Sequence, residues 1–195
     1  MKEHFFAYIA RMRFIQRWAL MRNSYTENIQ EHSHQVAVLA HALALIRNTY
    51  FGGNVDAGKV AVAALYHDAP EILTGDLPTP IKYHSRQISE AYKQVEELAC
   101  NKLLDTLPDE IRPAFAELLV GQAHDELYDL VKAADKLSAY IKCIEERRAG
   151  NDEFASAEKQ TRAILDASPL PEVRYFIEHF IPAFELTLDE LGTIE

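Results

Sequence analysis

Val60-Ala61-Val62-Ala63-Ala64-Leu65-Tyr66-His67-Asp68 decides how this chain folds: seven apolar residues in a row end on an imidazole and a carboxylate. Seven residues fall far short of the roughly 20 that a membrane helix requires. The run is rich in alanine, the best helix former, and Asp56 stands ahead of it as a cap. The pattern predicts a short buried helix, closely packed through its alanines, with His67 and Asp68 closing it.

Upstream, Gly52-Gly53-Asn54 separates this run from a longer helix that starts near Asn28, with Glu31 as capping-box partner, and reaches about Asn48. That segment is apolar almost all round (Val36, Val38, Leu39, Leu43, Leu45, Ile46), which predicts a central helix. Phe5, Phe6, Ile9, Met12 and Ile15 recur at helical spacing before it. Downstream, residues 74–84 read as a stiff loop because Pro78 and Pro80 deny backbone hydrogen bonds. Helical periodicity returns with Ile88, Tyr92, Val95, Leu98 and Leu103, and again after Pro108. Leu127, Leu130, Val131, Ala134, Leu137, Ile141 and Ile144 mark another long helix, with Gly150 past its end. Two more stretches follow near 153–166 and 172–190, and no segment alternates as a strand does. The expectation is an all-α, compact multi-helix fold without β-sheet, one domain over residues 1–195.

Composition narrows the function. A chain of 195 residues fits one domain, and 48% hydrophobic with 26% charged residues describes a globular protein. The formal charge of −10 disfavours a nucleic-acid polymer or an anionic membrane as partner. A small anionic ligand then needs local cationic help. Cys100 and Cys143 form no zinc or redox motif and read as free thiols of a reducing cytoplasm. The opening residues lack an apolar run long enough for a secretion signal, so a soluble cytoplasmic protein is expected.

Chemistry gathers at four positions. His32 lies near the start of the second helix, on the side of Val36; His67 and Asp68 close the third. Asp135 interrupts an apolar stripe, a costly place for a carboxylate unless it is paired or on a metal. Two imidazoles and two carboxylates from three helices make a four-ligand set for one divalent ion, suited to Mn, Co, Ni, Fe or Mg better than a thiolate-rich structural zinc site is. Asp135 could instead pair with Lys132 or Lys136, and His41, among Ala and Leu, reads as a packed histidine that shares a face with His34. A second His-Asp pair, His124-Asp125, is set aside because Asp125 stands where a helix cap belongs. Glu31 and His34 form one Glu-x-x-His without a companion, and His-Glu-x-x-His is absent.

His32, then His67-Asp68 after 35 residues, then Asp135 after a further 67, is similar to the His…His-Asp…Asp pattern of HD-domain metal-dependent phosphohydrolases. Ile15-Gln16-Arg17-Trp18, Thr26-Glu27-Asn28, Glu31-His32-Ser33, His67-Asp68-Ala69, Glu71-Ile72-Leu73-Thr74-Gly75-Asp76-Leu77-Pro78-Thr79-Pro80 and Ala134-Asp135-Lys136 follow in order. Together they resemble the bacterial 5′-deoxynucleotidase family within that superfamily, over essentially the whole chain. The resemblance implies an HD-domain fold and hydrolysis of deoxyribonucleoside 5′-monophosphates by attack of a metal-bound water on phosphorus. It carries the metal ligands onto His32, His67, Asp68 and Asp135, and the phosphate and sugar contacts onto Arg17 and Trp18. Substrate contacts fall on Asp76, Leu77, Pro78 and Thr79, beside the ligands Asp68 and Asp135, and Glu71 is the acidic residue near the metal. The family implies cobalt activation in assay, with Mn²⁺ or Mg²⁺ as other candidate ions, and a homodimer.

The residue types suit those roles. Arg17 offers a planar fork of donors for phosphate oxygens. Trp18 supplies a flat wall against a ribose 2′-hydroxyl. Glu71, four residues after His67, falls on the metal side of a continuing helix, where it can orient or deprotonate water. Pro70 either ends the helix at Ala69 or kinks it. Asp76 is a partner for the sugar 3′-hydroxyl or the leaving oxygen. Two other readings stand beside this one: an HD enzyme cutting deoxynucleoside triphosphates or phosphodiesters, and a nucleotide-binding helical dimer without catalysis.

Overall fold

Among residues 3–82, 84–119 and 126–192, which the computed structural model describes, the regular structure is helical, and β pairing is confined to one isolated bridge between Gln16 and Asn28. The helices are α1 (Phe5–Ile9), α2 (Ile29–Tyr50), α3 (Ala57–Tyr66), α4 (Glu71–Thr74), α5 (Thr79–Lys82), α6 (Arg86–Leu104), α7 (Arg112–Leu119), α8 (Glu126–Arg148), α9 (Ala155–Asp166) and α10 (Pro171–His179). Short 3₁₀ turns lie at Met12–Phe14, Asp152–Phe154 and Ile181–Glu185.

Helix α2 organises the packing. The Asn28 side chain accepts from the Gln30 and Glu31 amides while Glu31 accepts from the Asn28 amide, the expected capping box. Its inner face (Val36, Ala40, Leu43, Ala44) meets Val60, Ala63 and Ala64 of α3 and Leu130, Ala134, Leu137, Ile141 and Ile144 of α8. The alanines let α2 and α3 approach closely, so a larger residue there overpacks the core. Val173, Phe176 and Ile177 of α10 extend the same core, and the Arg47 guanidinium meets buried Glu172 at 2.6 Å. Phe5, Ala69, Cys100, Leu103, Leu104, Leu107 and Leu119 form a smaller second core.

Five expectations are corrected. Helix α2 is central but not covered all round: Val38 is 57% and Leu45 46% exposed, on the face that also carries exposed His34 and His41. His41 is therefore not a packed residue. The N-terminal periodicity is split, because the helix stops at Ile9 and a 3₁₀ turn carries Met12 inward. Residues 79–82 form the short helix α5, whose Pro80 sits in the first turn, where its missing N–H costs nothing. The last expected helix ends at His179, and a 3₁₀ turn holding Pro182 follows. His124-Asp125 lies outside the described residues.

Candidate active site

The turn after α3 makes the site possible. Pro70 has no N–H to give the Tyr66 carbonyl, which accepts instead from the Ala69 amide at 3.0 Å. The α-helix thus stops at Tyr66, three residues before Ala69, and His67 to Pro70 form tight turns that lead into α4. Gly75, at φ +75°, then ends α4 in a left-handed conformation that suits glycine and starts the Asp76 segment.

His32 is fully buried on α2, and its Nδ1 lies 3.1 Å from Ser138 Oγ on α8. Ser138 donates its own proton to Gln35 Oε1 at 2.6 Å, so its oxygen accepts from His32 Nδ1–H. His67 Nδ1 faces the Ala64 carbonyl at 2.7 Å, an acceptor only, so it too carries the proton on Nδ1. Both Nε2 lone pairs are left aimed inward, and both Nε2 atoms are buried without a hydrogen-bond partner. Burial holds His67 below its ordinary pKa, His32 adding to the effect and Asp68 opposing it, so the ring stays neutral.

Donor atoms of His32, His67 and Asp135 all lie within 4.8 Å of one another. Asp135 Oδ1 is 3.1 Å from His32 Nε2, while its Oδ2 pairs with Lys136 at 3.0 Å. Asp135 thus meets both the lysine and the histidine that its sequence context offered. Burial works against its charge, but His32, Lys136 and Arg17 hold the carboxyl well below the usual carboxylate range. Asp68 borders the group, with Oδ2 3.4 Å from His32 Nε2 and Oδ1 3.2 Å from His67 Nε2. Two imidazoles whose buried Nε2 atoms lack hydrogen-bond partners, facing a carboxylate held in its ionised form, fit a divalent cation.

Around this cluster stand the remaining candidates. Arg17 Nη1 reaches Asp68 Oδ2 at 3.4 Å. Burial opposes its charge, but Asp68, Asp135, Glu27 and Asp76 more than restore it. Glu71 is 7% exposed with Oε2 unpartnered, and burial, with Asp68 and Asp76 as like charges, pushes its carboxyl up to about 9. Burial also raises Asp76, against the opposing pull of Arg17. Glu71 therefore holds its proton to higher pH than an ordinary glutamate does. Leu77 and Pro78 are partly covered and Thr79 is exposed at the start of α5.

Sequence reasoning did not single out Ser138 and Gln35 behind His32, Glu27 beside Arg17, or the buried Lys142–Glu146 ion pair. Asp135, Ser138, Lys142 and Glu146 are spaced three and four apart on α8, and that spacing was the available signal.

A family model described as 5′-deoxynucleotidase YfbR-like matches residues 4–184. Proteins named 5′-deoxynucleotidase YfbR from Shigella boydii and from Escherichia coli are each 53% identical over 192 residues, covering 98% of this chain and 96% of theirs. Among solved structures, an HD-domain phosphohydrolase from Listeria innocua superposes with a TM-score of 0.83 at 22% identity, covering 99% of this chain and 94% of that one. A cyanophage S-2L HD phosphohydrolase, bound to dA and one catalytic zinc ion, gives a TM-score of 0.61 at 22% identity, covering 90% and 95%. At such identities the structures speak for the fold, and that fold is the HD-domain architecture.

Proposed function

The chain belongs to the 5′-deoxynucleotidase YfbR-like family, and we propose that it hydrolyses deoxyribonucleoside 5′-monophosphates to deoxynucleoside and phosphate at the cluster around His32 and His67. One observation carries the assignment of the site: two buried Nε2 atoms without hydrogen-bond partners, within 4.8 Å of a carboxylate oxygen and beside an arginine. His32, His67 and Asp135 would hold one divalent ion, with Asp68 as the fourth ligand. Such an ion supplies Lewis-acid stabilisation of phosphoryl charge and makes water a stronger nucleophile at neutral pH.

The chain's own residues do the rest. Arg17 offers its fork to the phosphate oxygens and neutralises charge there. Water adds to phosphorus as the bond to the 5′-oxygen breaks; Glu71 gives that oxygen its proton, and the proton released by the added water returns through solvent to restore the Glu71 acid. A divalent ion held beside Glu71 would lower its carboxyl from about 9, easing loss of the proton to the leaving oxygen. Asp76 receives the sugar 3′-hydroxyl, with Leu77, Pro78 and Thr79 framing the sugar and base, while Trp18 blocks a 2′-hydroxyl. Cobalt as the activating ion in assay, a homodimer and a cytoplasmic setting complete the reading. No helix among the described residues is long and apolar enough to cross a membrane.

Phosphate release tests this. Purified protein with Co²⁺, Mn²⁺ or Mg²⁺ is offered deoxynucleoside and ribonucleoside monophosphates, a deoxynucleoside triphosphate and a cyclic dinucleotide. Orthophosphate from the deoxynucleoside monophosphates is the expected result. Tripolyphosphate from the triphosphate alone, or turnover of none, refutes it.

A further inference from the structure

Trp18 has a φ of +57°, the one non-glycine residue in the left-handed region among those described. A bulky aromatic persists there only when its surroundings over-determine it. Its carbonyl accepts from the Asn23 side chain at 3.2 Å and the Met21 amide at 2.9 Å, and its ring lies against Phe154, with centroids 5.3 Å apart. The indole N–H donates to Glu27 Oε2 at 3.1 Å, and the same oxygen accepts from Arg17 Nε at 3.0 Å. Glu27 is registered for this by the Gln16–Asn28 bridge, where the Arg17 amide donates to the Glu27 carbonyl at 2.9 Å and the Ile29 amide to the Ile15 carbonyl at 3.0 Å.

We propose that Glu27 is the positioning residue for substrate choice: its single carboxylate oxygen locks the Arg17 guanidinium and the Trp18 indole in one fixed relation. The phosphate-binding cation and the sugar-facing wall therefore move as a unit. Anchoring the phosphate on Arg17 sets how far the 2′ position stands from the indole. Arg17 uses Nε on Glu27 and Nη1 on Asp68, which fixes the plane of its fork relative to the candidate metal cluster. A glutamine at this position has one acceptor oxygen and no charge, so it holds the two donors far more weakly.

This inference rests on the deoxynucleotidase reading, and its test separates the two. The chain has a single tryptophan, so the emission of Trp18 reports its own anchoring. Glu27→Gln is compared with wild type for bound metal, thermal midpoint, tryptophan emission and kcat/KM on dAMP and AMP. The expected result is wild-type metal content, red-shifted emission with easier acrylamide quenching, and a dAMP-to-AMP preference narrowed by roughly ten- to a hundred-fold, the size of one or two lost charge-assisted hydrogen bonds. An unchanged preference overturns the proposal, whatever the emission does. Should Glu27→Gln not fold, Glu27→Asp keeps the charge but draws the shared oxygen back by one methylene from Arg17 and Trp18, leaving both of those residues intact. A narrowed preference there supports the coupling and a wild-type preference overturns it. Failure of the functional reading has another signature, no phosphate from either nucleotide with wild-type protein. In that case unchanged emission in Glu27→Gln still overturns the anchoring of Trp18.

Discussion

Glu71→Gln stabilises the metal-free protein at neutral pH, by an amount the Glu71 environment sets. Its carboxyl titrates at its ordinary 4.5 in the unfolded chain and at about 9 when buried beside Asp68 and Asp76 in the fold. Between those values the folded protein carries a proton that the unfolded chain has lost, so stability falls as pH rises through that window. Below pH 4.5 both states are protonated and Glu71 contributes no penalty. From pH 4.5 to 7 the window spans about 2.5 pH units at ~1.4 kcal/mol each, a ceiling of ~3.5 kcal/mol. Carried to pH 9 the ceiling is ~6 kcal/mol. Glutamine has the shape of the protonated acid and no charge to lose, so it removes the penalty. Urea unfolding of wild type and variant in chelator, at pH 4, 7 and 8.5, measures the difference. It should be near zero at the lowest pH, grow at each step, and accompany a loss of turnover once metal is restored. A difference that does not vary with pH refutes the reasoning.

Three further outcomes follow from the same geometry. Ser138→Ala takes away the acceptor that fixes the His32 tautomer, and metal affinity, read by chelator competition, should fall by roughly ten- to a hundred-fold; unchanged affinity removes Ser138 from that role. Asp135→Asn should abolish phosphate release and lower bound metal measured by elemental analysis, and full turnover would show the ligand set to be wrong. Glu146→Ala strands buried Lys142 and the Ser24 and Tyr25 amides, and should cost about 3–5 kcal/mol in urea unfolding; a loss under 1 kcal/mol would mean that water reaches Lys142 freely.

Helix identity was legible where apolar residues run together or recur at helical spacing between caps and breakers, as in the spans now seen as α2, α3 and α8. It failed where proline or exposure breaks the simple rule. The apolar residues Val38 and Leu45 look like core in a one-dimensional pattern, yet they sit on the exposed face of α2. Pro80 reads as a breaker, yet the first turn of α5 accommodates it. The four candidate ligands could be found because carboxylates and imidazoles on apolar helices are conspicuous. Glu27 could not, because its role depends on a hydrogen bond to Trp18 across a loop whose left-handed turn no periodicity announces. Ser138 was hidden by ordinariness, since a serine in an apolar helix attracts no notice until the His32 ring is seen against it.

The overall charge of −10 and the local chemistry pull in opposite directions at this site. Asp68, Glu71, Asp76 and Asp135 crowd one end of α2 and α3 against Arg17 and Lys136, and Glu71 keeps its proton because it is buried, with Asp68 and Asp76 adding like charge beside it. A phosphate monoester brings still more negative charge, so Arg17 alone is a weak lure for it. A divalent cation held by the histidine pair would offset this charge, drawing a phosphate toward the site and favouring the ionised form of Glu71. Such an ion would also stabilise the fold, by an amount that grows with the logarithm of its concentration above Kd, because the unfolded chain has no such cluster. The advantage of Glu71→Gln must therefore shrink as metal is added, since the ion relieves the repulsion that the substitution removes. The acidic residues are thus brought together at a cost to the empty protein, and that cost would couple cation binding to the protonation of Glu71.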